Sequence, residues 1–232
     1  MTAIVKIGSK DLTDILMCAK LCMDEITFYF GDDNVQAMDV DPTHVQMFHA
    51  IAQCECSEKC VISVPIEKMV KALAAAGNGE IELEIDESFV KIHGEHTRVK
   101  VPLIDRDSRF KWPEKLNTPV ATCEIEPSIL APALSYGTFT AASRVQIAIG
   151  DTRMKMSVMG DTADDIEIES SHTAVGDSTS CLSVSYLDTL IKHVKSVPII
   201  EVGAFGDDHP VQISWATDKA RFKVLIAPWI ED

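Results

Sequence analysis

Residues 7–16 read Ile-Gly-Ser-Lys-Asp-Leu-Thr-Asp-Ile-Leu, and residues 125–134 read Ile-Glu-Pro-Ser-Ile-Leu-Ala-Pro-Ala-Leu. Both segments begin with an isoleucine that ends a strand-like run. Two leucines with helical spacing follow it, Leu12 and Leu16 in one segment and Leu130 and Leu134 in the other. The segments lie 118 residues apart in a chain of 232 residues. The chain is therefore predicted to contain an internal duplication of about half its length.

The duplication extends beyond these two segments. Residues 26–32, an alternating strand and its turn, match residues 145–151, and the amphipathic segment 66–73 matches 187–194. Each half reads as strand, helix, hairpin, further strands, second helix and further strands. This order predicts an α+β fold with two similar domains, in which two helices cover one face of antiparallel sheets. The predicted helices span residues 9–22, 65–77, 127–143 and 184–197.

The two halves are joined by a segment without periodicity, residues 105–119, which contains two prolines and is charged at its start. We interpret it as a linker. The predicted organisation is an N-terminal domain over residues 1–105, an interdomain linker over 106–120 and a C-terminal domain over 121–232.

The charge balance excludes one class of nucleic-acid-binding protein. The chain carries 21 Lys and Arg against 36 Asp and Glu, a formal net charge of −15, with 46% hydrophobic residues. A protein that binds nucleic acid through a broadly basic surface has the opposite balance. Any contact with DNA is expected to depend on a local exception to the acidic surface.

The N-terminal sequence has no apolar core of a signal peptide, and no stretch is long and apolar enough to span a bilayer, so no membrane association is predicted. Seven cysteines is an odd number for a disulfide framework. We therefore expect free thiols and a reducing compartment, the cytoplasm.

Three segments resemble the PCNA-type sliding clamps of archaea and eukaryotes. They are Met-Asp-Val-Asp-Pro-Thr-His-Val at 38–45, Val-Lys-Val-Pro-Leu-Ile-Asp at 99–105, and Leu-Ile-Ala-Pro-Trp-Ile-Glu-Asp at 225–232, and Val-Ser-Tyr-Leu at 184–187 is also similar. The resemblance covers the chain from end to end and implies a duplicated DNA-clamp fold that assembles into a closed ring of three subunits.

The resemblance also implies the function. A clamp of this type encircles duplex DNA without sequence preference and acts as a processivity factor in DNA replication and repair. It holds DNA polymerase, the clamp loader, flap nuclease and DNA ligase through short apolar peptide motifs. It is not an enzyme and needs no cofactor. The expected location is the cytoplasm of an archaeal cell or of a virus-infected host, or the nucleus if the source is eukaryotic.

The helices are the local exception to the acidity. The four predicted helices together carry a net charge of +2, which leaves −17 for the rest of the chain. A neutral to slightly basic inner wall with an acidic outside lets DNA pass through the hole without holding it at the rim. The alternative interpretation is that these lysines only solvate their helix faces. The candidate DNA-facing residues are Lys10, Lys20, Lys68, Lys71, Lys192 and Lys195.

Two alternating segments are the predicted subunit interface. By resemblance, the strand at 97–101 of one subunit pairs with the strand at 165–169 of the next. An antiparallel pairing would match apolar with apolar and basic with acidic residues. The alternative is that both are ordinary strands of their own sheets. The interface residues are Arg98, Val99, Lys100, Val101, Ile166, Glu167, Ile168 and Glu169.

The resemblance implies an exposed pocket for the apolar motifs of partner proteins. Trp229 stands where the family usually has a basic residue, so the preference for one partner motif over another is left open. The pocket residues carried over from the family are Val40, His44, Val45, Met47, Leu116, Pro210, Leu225, Ala227, Pro228, Trp229 and Ile230.

Two alternatives remain. One is a subunit of a heterotrimeric, checkpoint-type ring. The other is a small metal-dependent enzyme that uses Cys54, Cys56 and Cys60, although their spacing lacks the usual zinc knuckle. No metal site and no catalytic residue are assigned, because the paired acids lie in turns and no nucleotide or hydrolase motif is present. The acidity also fits a salt-loving host, and the sequence does not decide whether the source is a cell or a virus.

Overall fold

The computed structural model describes residues 2–105, 110–150, 152–159, 166–170 and 174–230. By its internal contacts the chain divides into two compact units. Unit 1 comprises Met1–Trp112 with Ala216–Phe222, and unit 2 comprises Pro113–Trp215 with Lys223–Asp232.

The first half of the chain alternates strands with two helices. Its elements are β1 (Ala3–Gly8), α1 (Ser9–Ala19), β2 (Glu25–Phe30), β3 (Asn34–Val40), β4 (Gln46–Gln53), β5 (Glu55–Cys56), β6 (Cys60–Pro65), α2 (Ile66–Ala76), β7 (Glu80–Ile85), β8 (Phe89–His93) and β9 (Arg98–Pro102).

The second half repeats this order element by element within the described residues. Its elements are β10 (Ala121–Ile125), α3 (Pro127–Phe139), β11 (Arg144–Gly150), β12 (Arg153–Met159), β13 (Ile166–Ser170), β14 (Ala174–Val175), β15 (Ser178–Ser183), α4 (Val184–Val194), β16 (Ile200–Ala204), β17 (Val211–Ala216) and β18 (Ala220–Ile226). The predicted α+β fold with antiparallel sheets and two helices in each half is confirmed.

The sheets of the two units follow the same pairing scheme. Unit 1 has a five-stranded sheet in the order β5-β1-β7-β8-β9 and a second sheet that contains β4-β3-β2-β6. In unit 2 the corresponding strands run β14-β10-β16-β17 and β13-β12-β11-β15. The strand pairs within each unit are antiparallel, as in β1 with β7 and β11 with β12.

Each helix pair packs within its own unit, α1 with α2 and α3 with α4. Leu12 and Leu16 of α1 and Leu130 and Leu134 of α3 are fully buried, as the repeated spacing predicts. Buried residues at this spacing form one apolar face, so each helix covers its sheets with that face and turns the other side outward.

The helices are shorter than predicted. Helix α3 ends at Phe139 rather than residue 143, because the hydroxyl of Thr140 donates to the carbonyl of Tyr136 and Ala141 adopts a φ of +57°. Helix α2 ends at Ala76, and Gly77 follows with a φ of +92°, the left-handed region that a helix-stop glycine supplies. In α1, tighter turns after Ala19 replace the regular helix.

Part of the predicted linker packs on unit 1. The hydroxyl of Tyr29 donates to the carbonyl of Phe110 at 3.0 Å, and the Trp112 ring lies 5.5 Å from the His49 ring. A short 3₁₀ turn, Glu114–Leu116, follows. Residues 106–109 lie outside the described residues. Among the helices that the structure describes, none is long and apolar enough to cross a membrane.

Candidate nucleic-acid interface and docking surfaces

All six candidate DNA-facing lysines are exposed, on or directly after helices α1, α2 and α4. Three of them form ion pairs with an acid one helical turn away. The Nζ of Lys10 lies 2.5 Å from Asp14, that of Lys71 lies 2.8 Å from Glu67, and that of Lys192 lies 2.6 Å from Asp188. These pairs neutralise half of the predicted positive charge.

The electrostatics of the pairs are consistent with this geometry. The hydrogen bond and charge of Asp14 raise the pKa of Lys10, and those of Lys71 lower the pKa of Glu67. Asp188 is nearly buried and also accepts a hydrogen bond from the Thr138 hydroxyl of α3, so it links α4 to α3.

Lys20, Lys68 and Lys195 form no ion pair with any of the residues that the structure describes. These three lysines supply most of the unpaired positive charge on the helices, and the charge of Lys20 also acts on Glu67. The acidic partners of the other three were not predicted, although the spacing of four residues in Lys10–Asp14, Glu67–Lys71 and Asp188–Lys192 is a sequence signal for such pairs.

The two predicted interface strands lie at sheet edges. Strand β9 ends the five-stranded sheet of unit 1, and β13 ends the sheet β13-β12-β11-β15 of unit 2. On β9, Val101 is buried, Val99 is half-buried, and Arg98 and Lys100 are exposed. The backbone groups on the outer side of such an edge are available to another strand.

Strand β13 carries the complementary charge. Glu167 and Glu169 are exposed, while Ile166 and Ile168 are half-buried on the other face. Both glutamates pair within their own sheet, Glu167 with Lys155 at 2.8 Å and Glu169 with Arg153. Salt bridges at such an exposed site contribute about 0–1 kcal/mol, so they leave the glutamates accessible to a second cation.

The side chain of Lys100 lies over a ring of its own sheet. Its Nζ is 3.4 Å from the centre of the Phe89 ring. The contact keeps the ammonium group on the solvent-facing side of β9, beside Lys91 of the neighbouring strand.

The four predicted pocket residues of unit 1 surround a turn that Asp41 organises. One carboxylate oxygen of Asp41 accepts a hydrogen bond from the backbone N–H of Gln46 at 2.6 Å, and the other accepts one from Thr43 N–H at 3.1 Å. His44 adopts a φ of +58° and is exposed at the tip. Val40, Val45 and Met47 are half-buried around it.

The C-terminal pocket residues belong to unit 2. Trp229 donates its backbone N–H to the carbonyl of Cys181 at 2.7 Å, which holds the tail against β15. The side chains of Trp229 and Ile230 are 41% and 79% exposed. A cavity of about 370 Å³ beside them is lined by Arg144, Cys181, Asp208, Pro228, Trp229 and Ile230.

The other predicted pocket residues of unit 2 differ in exposure. Leu225 is buried in the core, whereas Leu116, Pro210, Ala227 and Pro228 are half-buried. Leu225 can support an overlying surface but does not itself present an exposed side chain.

The cysteine cluster, Cys54, Cys56 and Cys60, lies where strands β5 and β6 begin. Burial raises the pKa of Cys54 and that of Cys60 to about 12, so both are protonated near neutral pH. The thiol of Cys56 donates to the carbonyl of Glu58. The part of the chain that the structure describes holds no group of three potential ligands arranged for a metal ion.

The chain matches curated sequences over nearly its whole length. It is 22% identical over 257 residues to the DNA polymerase sliding clamp of Methanococcus vannielii and 24% identical over 243 residues to that of Methanothrix thermoacetophila, with 97% of both chains covered in each case. In sequence and in fold the chain resembles the PCNA-type sliding clamps. No family model matches the chain.

Solved structures show the same fold. PCNA of A. fulgidus, bound to the C-terminal region of FEN-1, superposes on this chain with a TM-score of 0.84 at 20% identity, with both chains covered completely. PCNA of Thermococcus kodakaraensis superposes with a TM-score of 0.82 at 16% identity, with 99% of this chain and 100% of that chain covered. The PCNA2–PCNA3 complex of Sulfolobus tokodaii gives 0.79 at 18% identity, with 98% and 100% covered.

Proposed function

We propose that three copies of this clamp close into a ring around duplex DNA and hold replication and repair enzymes on it without catalysing a reaction. The observation that carries the proposal is the full-length agreement with sliding clamps in both sequence and fold. The duplication supports it, since two similar units in each of three copies give six units around the hole.

The electrostatics support passage of DNA through the hole rather than tight binding. The net charge of −15 opposes binding to the outside, and the exposed positive charge of the helices is limited by the three ion pairs. Lysine ammonium groups act as hydrated point charges, which suit loose and sequence-independent contacts with phosphates. A clamp of this design stays on DNA by topology rather than by affinity.

The edge strands support self-assembly over a heteromeric ring. One chain carries both a basic edge, β9 with Arg98 and Lys100, and an acidic edge, β13 with Glu167 and Glu169. An interface between two different patches closes into a ring when the rotation per subunit fits. A heterotrimer would instead place the two complementary edges on different chains.

The exposed apolar side chains at the C-terminal tail support docking of partner peptides. The anchor side chains of a partner motif would dock near Trp229 and Ile230. Partners of this kind include a DNA polymerase, the clamp loader, a flap nuclease and a DNA ligase. The clamp would work where DNA is replicated, which is the cytoplasm in an archaeal host.

Light scattering after size exclusion tests the ring at low and at molar salt. A mass of about three times 25.5 kDa is expected. A second experiment tests topology with linear duplex DNA whose ends are either open or blocked by streptavidin. The clamp should slide off open DNA and remain on DNA blocked after it has threaded on. Equal retention on both substrates would contradict a sliding clamp, and a monomer in all buffers would favour a heteromeric ring.

A further inference from the structure

Four of the seven cysteines are half-buried rather than fully buried, namely Cys22, Cys56, Cys60 and Cys181. Cys56 and Cys60 are separated by three residues, whereas Cys22 and Cys181 belong to different units. A thiol forms an intramolecular disulfide when a reagent can reach it and a second thiol lies close by. Of these four cysteines, Cys56 and Cys60 are the two that can lie side by side.

Cys56 and Cys60 stand at the edges of two different sheets. Cys56 is the last residue of β5, the edge strand of the five-stranded sheet, and pairs with Val5 of β1. Cys60 is the first residue of β6, the edge strand of the second sheet of unit 1, and pairs with Phe30 of β2. Residues 57–59 carry the chain from one sheet to the other. A bond between the two sulfurs would therefore join the two sheets at one corner of unit 1.

The turn between the two cysteines is held at both ends by Asp32. The carbonyl of Asp32 accepts a hydrogen bond from the N–H of Cys56 at 3.2 Å, and its carboxylate lies 2.9 Å from the Nζ of Lys59. Ser57 is tied to Ile4 of β1 by two hydrogen bonds of 2.9 Å, one through its N–H and one through its hydroxyl. These contacts fix the backbone on both sides of the turn, so they limit how far the two thiols can separate.

The two thiols interact with each other inside this turn. The thiol of Cys56 donates to the carbonyl of Glu58 at 2.9 Å, which directs it into the turn. Burial is the main cause that raises the pKa of Cys60, and the charge and a hydrogen bond of the Cys56 thiol raise it further. Two sulfurs that interact in this way need only side-chain rotations to reach the geometry of a disulfide.

We propose that Cys56 and Cys60 form a redox-modification site, which a low-molecular-weight disulfide converts into an intramolecular disulfide bond. The inference goes beyond the proposed ring and does not depend on it. The pair stays reduced while small thiols are mostly reduced, and it oxidises when their disulfides accumulate. The bond then ties the edge strand β5 to the edge strand β6.

The reaction is a thiol–disulfide exchange in two steps. The thiolate of Cys56 attacks one sulfur of the reagent, forms a mixed disulfide and releases one small thiolate. The thiol of Cys60 then loses its proton to solvent and attacks the sulfur of Cys56, which releases the second small thiolate. Two electrons pass from the protein to the reagent. The reagent takes up the two protons that the cysteines release and leaves as two small thiols.

Cys60 is suited to the second step. Its pKa of about 12 keeps it protonated near neutral pH, which makes it a poor nucleophile toward a reagent in solution. Once Cys56 is part of the mixed disulfide it can carry no charge, so its share of the pKa shift of Cys60 is lost. The first attack is therefore made by Cys56 on the reagent, and the second by Cys60 on its neighbour.

Mass spectrometry after incubation with oxidised glutathione tests the inference on the native chain. The wild type should lose about 2 Da, the mass of the two hydrogens removed, and peptide mapping should find a cross-link between Cys56 and Cys60. Cys60→Ser should stop at one glutathione adduct on Cys56. Cys181→Ser, which removes a half-buried thiol from unit 2, is the control and should form the cross-link as the wild type does. Circular dichroism confirms that each variant is folded.

Several outcomes would overturn the inference. One is a cross-link that joins Cys54 to Cys56 or to Cys60. Another is a cross-link between Cys18 and Cys22. A wild type that keeps seven free thiols, or that stops at a glutathione adduct on Cys56, would contradict it as well.

The equilibrium with glutathione measures how well the fold positions the two thiols. The ratio of disulfide to dithiol is determined at fixed concentrations of oxidised and reduced glutathione, for the native chain and for the chain unfolded in concentrated urea. The native chain should favour the disulfide about tenfold more strongly, because the folded turn already holds the thiols together. An equal or smaller ratio in the native chain would show that the fold does not bring the thiols together, and it would overturn the inference.

Discussion

Helices α1 and α3 occupy equivalent places in the two halves of the chain, yet their outer faces have opposite chemistry. Leu12 and Leu16 correspond to Leu130 and Leu134, and all four are fully buried. Outside, α1 displays Lys10 and Asp11, whereas α3 displays only uncharged residues. The buried positions keep the repeated pattern because both helices cover similar sheets, while the outer positions are free to differ.

The two outer faces favour different kinds of contact. The outer face of α1 contributes charge, which our proposal places beside DNA. The outer face of α3 contributes apolar area, which suits contact with another protein surface. The two roles are compatible with one fold because neither outer face takes part in the core.

The largest expected effect is on the free energy of unfolding, and it follows from the equivalence of the buried faces of α1 and α3. Leu12→Ala and Leu130→Ala should each lower the free energy of unfolding by about 2–5 kcal/mol, because each leaves a cavity in a fully buried site. Urea denaturation measures this loss. Ile129→Ala, on the outer face of α3, is the control and should cost less than about 1 kcal/mol. A control as damaging as Leu130→Ala would remove the distinction between the two faces.

Helix α3 has a glycine, Gly137, where α1 has an alanine, and the glycine lets α3 lie close to strand β12. A Cβ at Gly137 would lie 2.7 Å from Cγ1 of Val158, whereas the equivalent position in α1 is the buried Ala19. Gly137→Ala should therefore lower the unfolding free energy by about 1–2 kcal/mol, even though alanine favours a helix. Thermal unfolding is the measurement. An increase in stability would show that α3 can move away from β12 at little cost.

The helix charges predict a moderate effect on the affinity for duplex DNA. Replacement of Lys20, Lys68 and Lys195 by glutamine should weaken binding to duplex DNA at low salt by several-fold and reduce the salt dependence by up to about 0.9 per lost contact. The same change at Lys10, Lys71 and Lys192, which are paired with acids, is the control and should have a smaller effect. Fluorescence anisotropy measures both sets. A larger loss in the paired set would mean that DNA displaces the acidic partners.

The buried thiols predict an effect on stability that appears only at alkaline pH. Burial raises the pKa of Cys22, Cys54 and Cys60 to about 12, above the ordinary value near 9. The unfolded chain releases these protons first, so stability is constant below pH 9 and falls as the pH rises from 9 toward 12. Urea denaturation at pH 8 and pH 10 under reducing conditions should show the decrease.

Replacement of Cys54 and Cys60 by alanine is the matched variant for this measurement. It removes two of the three thiols and should flatten the pH dependence, whatever its effect on stability at pH 8. A slope that is unchanged in the variant would assign the alkaline decrease to other groups.

Much of the fold followed from the sequence because it depends on local periodicity. The repeated leucine spacing predicted α1 and α3, and the alternation in residues 26–30 predicted β2. Helix ends were predicted less well. Residues 140–143 read as helix, but side-chain hydrogen bonds to the backbone and the positive φ of Ala141 end α3 at Phe139.

For the candidate surfaces, the sequence predicted which residues take part but not how these residues are arranged in space. Residue types and family resemblance singled out the helix lysines, the two edge segments and the tail at Trp229, and their roles stay predictions. The sequence analysis treated Leu225 as a pocket residue, while the fold buries it in the core. Glu167 and Glu169 were predicted to face basic residues of another subunit, and the fold also gives them ion-pair partners in β12.

By itself the sequence determined the duplication, the α+β class and the acidic charge balance, because these depend on composition, period and order along the chain. Only the tertiary structure decided which strands of each unit lie at an edge, which lysines are neutralised and which face of α3 is left uncovered. Edges and uncovered faces result from pairing and packing between segments far apart in sequence, and no local pattern contains that information.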